Sequence, residues 1–149
     1  MINRKLTLVC FLLFVILTAG CTHQQQFKIE SEKYRMNNGL EVILHTDKSD
    51  PISAVAIQYH VGSNREVPGR TGFAHLFEHM MFQESQHVGQ DQFFKNIQSA
   101  GGTLNGGTSR DGTIYYEVVP KNVLEMVLWM ESDRMGFLLS RVTQESFVN

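Results

Sequence analysis

Only two cysteines, Cys10 and Cys21, occur in 149 residues. This excludes both a disulfide-stapled scaffold and a Cys-rich zinc ribbon. Basic charge is also scarce: 13 Lys and Arg stand against 15 Asp and Glu, for a formal net charge of −2. Without a basic excess there is no footprint for a phosphate backbone, so nucleic acid is not an expected partner. The one long apolar run, Leu6 to Leu17, rises only about 18 Å as a helix against a hydrocarbon core of about 30 Å. It is too short to span. What remains, 42% hydrophobic and 19% charged residues without an internal repeat, describes one globular domain.

The first residues read as a processing segment rather than as structure. Arg4 and Lys5 precede the apolar run, and the small residues Thr18, Ala19 and Gly20 lead into Cys21. That order is similar to a bacterial lipoprotein box, which implies removal of residues 1–20 and lipidation of Cys21. An ordinary secretion signal cut near Ala19, or a simple anchor helix, also fits. Residues 21–26 then form the lipidated Cys and a polar tether. The expected location is the bacterial cell envelope, lipid-anchored at the outer membrane and facing the periplasm. After cleavage no free thiol would remain there to oxidise.

From residue 27 to 149 the pattern is that of a folded domain. Alternating residues predict strands over Phe27–Met36 and Leu40–His45, with Asn37-Asn38-Gly39 as the turn between them. Ser53–Val61 predicts a third strand, and Thr71 is placed to cap a helix over Gly72–Gln83. A second helix is expected over Asp91–Ala100, ended by Gly101-Gly102. A hairpin of Thr103–Thr108 and Thr113–Val119 follows. Pro120 then opens a long helix whose Val123, Val127 and Met130 form a core stripe, and Thr143 caps one more. The expected fold class is α+β, an antiparallel sheet with helices packed on one face.

The chemistry concentrates at His75-Leu76-Phe77-Glu78-His79. On a helix His75 and His79 stand about 40° apart, one turn from each other. Two imidazoles at that spacing can share a tetrahedral zinc. Glu78 lies about 60° from one and about 100° from the other, within reach of a metal-bound water without being a ligand. Zinc lowers the pKa of its water to about 7, and a carboxylate that takes the proton leaves a nucleophile able to hydrolyse an amide. Two His at this spacing also occur on helices that hold no metal. His23, His45, His60 and His87 are isolated and read as surface or strand positions.

The segment GRTGFAHLFEHMMF, Gly69 to Phe82, closely resembles the pitrilysin/insulinase family of zinc peptidases, whose inverted zinc motif defines the inverzincins. SAGGTLNGGTSRDGTIYYEVV, Ser99 to Val119, resembles the family's Gly-Gly-x-x-Asn-Ala-x-Thr strand and Tyr-Tyr return strand, with Gly106 where Ala is common. MNNGLEVILHTD, Met36 to Asp47, resembles its first hairpin. The resemblance implies that His75 and His79 bind one zinc, that Glu78 activates the water, and that Asn105 on an edge strand helps hold an extended substrate. An edge strand suits that role, because main-chain hydrogen bonds can add a peptide as another strand. A locally satisfied turn or edge residue is the alternative for Asn105.

The resemblance also implies a third ligand, a Glu roughly seventy-five residues past His79 and therefore beyond Asn149. Glu145 falls short of that spacing and reads as a solvated acid. The expectation is a zinc endopeptidase acting on peptides or unfolded polypeptide, of which this chain is an N-terminal part, weakly active or inactive alone. Its second half-domain would come from the same chain or another subunit. The alternatives are a non-catalytic peptide-binding relative and a lipid-anchored structural module.

Overall fold

The computed structural model describes residues 28–142, so the leader, Cys21, Thr143 and Glu145 lie outside the described residues. The chain divides into two compact units, one up to Asp47 and one from Lys48 onward. The first is an antiparallel hairpin of β1 (Glu32–Arg35) and β2 (Glu41–Leu44). Its turn is the expected one: Gly39 takes a φ of 92°, and the Leu40 N–H donates to Asn38 Oδ1 at 3.1 Å. Both strands are shorter than expected, with pairing confined to the stretch from Glu32↔Leu44 to Arg35↔Glu41.

The second unit contains β3 (Ile52–Tyr59), α1 (Phe73–Gln83), α2 (Gln92–Ser99), β4 (Thr103–Thr108), β5 (Thr113–Pro120) and α3 (Leu124–Phe137). Its strands run in the order β3-β5-β4, all antiparallel. Strand β5 shows how the layers form. Thr113, Tyr115, Glu117 and Val119 are buried, while Ile114, Tyr116 and Val118 between them are exposed. A period of two has put one set on the helix side and the other on the open side. On the helix side Val119 packs with Phe93 and Ile97 of α2 and with Val123, Val127 and Met130, the expected stripe. The α+β class with helices on one face is therefore the observed one. One boundary differs: Pro120 ends β5 opposite Ile52, and a 3-10 turn (Lys121–Val123) separates it from α3. Pro120 can close the strand there because the next N–H, of Lys121, donates to Pro51 at 3.0 Å.

The buried face also carries charge. Arg134, on α3 and fully buried, donates from Nε to Glu131 Oε2 at 2.9 Å and from Nη2 to Glu131 Oε1. Nη2 also stands 3.5 Å from Oε1 of the buried Glu117. The guanidinium lies over three rings, with centroids of Tyr115 at 4.1 Å, Phe93 at 4.5 Å and Phe82 at 5.5 Å. One cation thus faces two carboxylates, and its fork is given to Glu131. Glu117 has no hydrogen-bond partner of good geometry on either oxygen. Burial, reinforced by the neighbouring Glu131, pushes the Glu117 carboxyl up to about 8 against the pull of Arg134. At neutral pH Glu117 is therefore held in its protonated form.

Between its ordinary value of 4.5 and about 8 the unfolded chain releases a proton from Glu117 that the folded chain keeps, so this residue costs stability as pH rises through that window. Glu117→Gln, neutral at every pH, removes the cost. The melting temperature of the variant relative to the parent should climb steadily from pH 5 to pH 8; a difference that stays constant across that range contradicts the protonation assigned here.

Candidate metal centre

Helix α1 carries the candidate ligands, and its ends explain where it lies. It has no acidic residue in its first turn and no basic residue in its last, so it does not complement its own dipole. Thr71, the expected cap, makes no such bond: the N-cap is Gly72, at a φ of 94° that suits glycine, with no side-chain cap of its own. Glu66 takes the role instead. Its Oε2 accepts from the Gly72 N–H and its Oε1 from the Ala74 N–H, both at 2.8 Å. The bonds from Ala74 and Gly72 hold the Glu66 carboxyl below its ordinary value.

The other end is held by α3. Arg134 Nη1 faces the carbonyl oxygen of Met81 at 3.5 Å, in the last turn, where carbonyls lack intrahelical donors. The loop that follows α1 is pinned by Asp133. Its carboxylate accepts from Ser85 Oγ at 2.5 Å and from the His87 backbone N–H at 3.1 Å, and contacts His87 Nδ1 at 2.5 Å. Burial works to raise the Asp133 carboxyl, but these bonds outweigh it and keep the group low. His87 is therefore not the isolated residue its sequence surroundings imply.

Between these two anchors His75 and His79 are exposed on one side of the helix, with ring centroids 4.7 Å apart. Their Nε2 atoms approach to 3.1 Å. Two donors at ~2.0–2.1 Å from a tetrahedral ion lie ~3.3–3.4 Å apart, so this pair fits one zinc after a shift of a few tenths of an ångström. Glu78, one residue before His79, is half-buried; its charge faces Tyr115 and adds to the burial that raises that phenol. Among the described residues no group of three His, Cys, Asp or Glu is placed to hold a metal, and the two imidazoles are the candidate ligands.

Asn105 lies on β4, the end strand of the sheet, opposite Tyr116 of β5. It is exposed, and its Oδ1 accepts from the Gly106 N–H at 2.9 Å. Helix α1 packs directly against this strand. The contact is close because position 106 is glycine: a Cβ there would stand 3.0 Å from two ring atoms of Phe82 and 3.1 Å from Tyr115. The fold thus brings the candidate ligands and the candidate substrate strand onto neighbouring elements.

The sequence profile of the insulinase family, peptidase family M16, matches residues 41–135, which include both imidazoles, Glu78 and Asn105. The chain belongs to this family. Its M16 relatives include the zinc protease PqqE of Helicobacter pylori, 29% identical over 126 residues, covering 83% of this chain and 28% of that protein. An insulin-degrading enzyme homologue of Dictyostelium discoideum is 34% identical over 125 residues, covering 80% of this chain and 13% of its own. A crystal structure of a protease from Helicobacter pylori superposes with a TM-score of 0.78 at 28% identity, covering 82% of this chain and 29% of that one. The first half of the periplasmic protease PqqL from Escherichia coli shares the fold, with a TM-score of 0.67 at 24% identity and coverage of 72% and 25%. This M16 chain thus spans less than a third of the length of each of these proteins. Among the described residues no helix is long and apolar enough to cross a membrane.

Residue-by-residue reading of the sequence overlooked Glu66, Glu117, Asp133 and Arg134. A signal existed for Arg134, which continues the Val123, Val127, Met130 stripe by one more helical turn. Removing the Glu66 carboxylate, as in Glu66→Ala, should speed hydrogen exchange at the Gly72 and Ala74 amides and leave the β5 amides as they were. Unchanged exchange at those two amides would show that the first turn is held by something else. The Glu66 contribution is present above its ordinary value of 4.5 and is lost as pH falls through its lowered one.

Proposed function

We propose that this chain is the zinc-site portion of a zinc-dependent endopeptidase. The reading is carried by the convergence of the His75 and His79 Nε2 atoms to 3.1 Å on the exposed side of α1, with Glu78 beside them. It is supported by membership of a peptidase family and by relatives named zinc proteases. His75 and His79 hold the zinc through Nε2, with a third ligand, a carboxylate, supplied from outside the described residues. Zinc, when bound, supplies the Lewis acidity that makes water acidic enough to attack at neutral pH.

The chain's own residues do the rest. Glu78 takes the proton from the water as its oxygen attacks the scissile carbonyl carbon, and gives that proton to the amine nitrogen as the C–N bond breaks. The open edge of β4 pairs with an extended peptide through its main chain, and Asn105 orients it. Substrates are peptides or unfolded polypeptide, since a folded domain cannot offer a free strand to that edge. A second half-domain, in the same chain or another subunit, completes the substrate site. The protein works in the bacterial cell envelope, facing the periplasm, held at the membrane by lipid on Cys21.

In the full chain, Glu78→Gln should retain stoichiometric zinc and lose cleavage of a quenched peptide by at least about 100-fold. His75→Ala or His79→Ala should lose both. Cleavage by the Gln variant at the parent rate would place the base elsewhere, and zinc retained by both Ala variants would remove the metal from this helix.

A further inference from the structure

We propose that Arg134 is a positioning residue for the metal site: from within the core it holds both the helix that carries His75, Glu78 and His79 and the strand that carries Asn105. This rests on the zinc-site reading above and adds a residue that touches neither metal nor peptide. Two independent contacts carry it. The first is to the helix, where Arg134 Nη1 stands 3.5 Å from the Met81 carbonyl oxygen, two residues beyond His79. Helix α1 has no basic residue in its own last turn; the guanidinium faces one of its last carbonyl oxygens, while Arg141 stands 3.5 Å from the side chain of its C-cap Glu84.

The second contact reaches the strand. The same guanidinium lies over the rings of Phe82 and Tyr115, and those rings are the atoms that crowd Gly106, the neighbour of Asn105. Phe82 and Tyr115 also meet edge to face, with centroids 5.3 Å apart. Moving the guanidinium therefore moves a helix carbonyl on one side and a ring wedged against β4 on the other. Glu131 fixes the guanidinium itself by accepting from both Nε and Nη2. A planar fork is required, because one ammonium cannot face Glu131 in two directions, reach Met81 and stack on three rings. Lysine at position 134 keeps the charge and loses the positioning.

The test measures zinc affinity of the full chain by chelator competition, with folding followed separately by thermal melting. Arg134→Lys should weaken zinc binding by about 10–100-fold, as supporting residues around metal ligands do, and lower kcat more than KM. Val127→Ala serves as the control. It removes buried core packing on the same helix at a residue that is neither a hydrogen-bond nor a ring partner of Arg134, and should lower the melting temperature while leaving zinc affinity within about 2-fold. If Arg134→Lys melts lower but binds zinc as the parent does, the residue is structural only and the proposal is overturned. Should that variant not fold, Glu131→Asp, which retracts the counter-ion by one methylene, must weaken zinc in the same direction; parent affinity there also overturns it. His79→Ala, run alongside, separates the two levels. Zinc retained by that variant defeats the zinc-site reading, whereas zinc lost by it but kept by Arg134→Lys defeats only the positioning role.

Discussion

Two charges from outside helix α1, the Glu66 carboxylate at its first turn and the Arg134 guanidinium at its last, determine where that helix lies. The helix supplies neither charge itself, so its dipole is complemented only in the folded chain. Each partner comes from a different part of the sequence, one from the loop before α1 and one from α3. Holding a helix at both ends fixes its rotation as well as its position. Rotation is what decides whether two imidazoles one turn apart face outward together.

The functional consequence is preorganisation. Donors on a packed helix can be held to fractions of an ångström, whereas loop-borne donors must first be ordered by the ligand. The exposed sides of His75 and His79 meet this condition, and the close packing of Phe82 on Gly106 brings the edge strand within the same rigid unit. The arrangement has a cost in the core. Arg134 needs a buried counter-ion, and a second acid, Glu117, lies beside the pair and stays protonated at neutral pH. A core built only from hydrocarbon would avoid that cost, but it would leave the Met81 carbonyl without the guanidinium that faces it.

The parts legible in the sequence were those written in local pattern. Asn37-Asn38-Gly39 needs only its own backbone angles to make a turn, and the β4–β5 hairpin needs only alternation. The helix over 73–83 and the Val123, Val127, Met130 stripe were legible because a period of 3.6 is independent of partners. What escaped is non-local. Thr71 looked like a cap because capping is usually read from the adjacent residue, yet Glu66 reaches forward across a loop to do it. Glu117 sits in an alternation that marks it as buried, but an acid in such a pattern is readable only once Arg134 is known to face it. His87 seemed isolated because Asp133 is 46 residues away. The family resemblance, by contrast, was carried by motif wording and extended over both hairpins and the helix.

The most direct measurement is anomalous diffraction at the zinc edge from crystals of the full chain. The account predicts one peak within about 2.0–2.1 Å of Nε2 of both His75 and His79, on a helix whose ends still meet Glu66 and Arg134. A peak elsewhere, or one bound to a single imidazole with the other ring turned away, would contradict it.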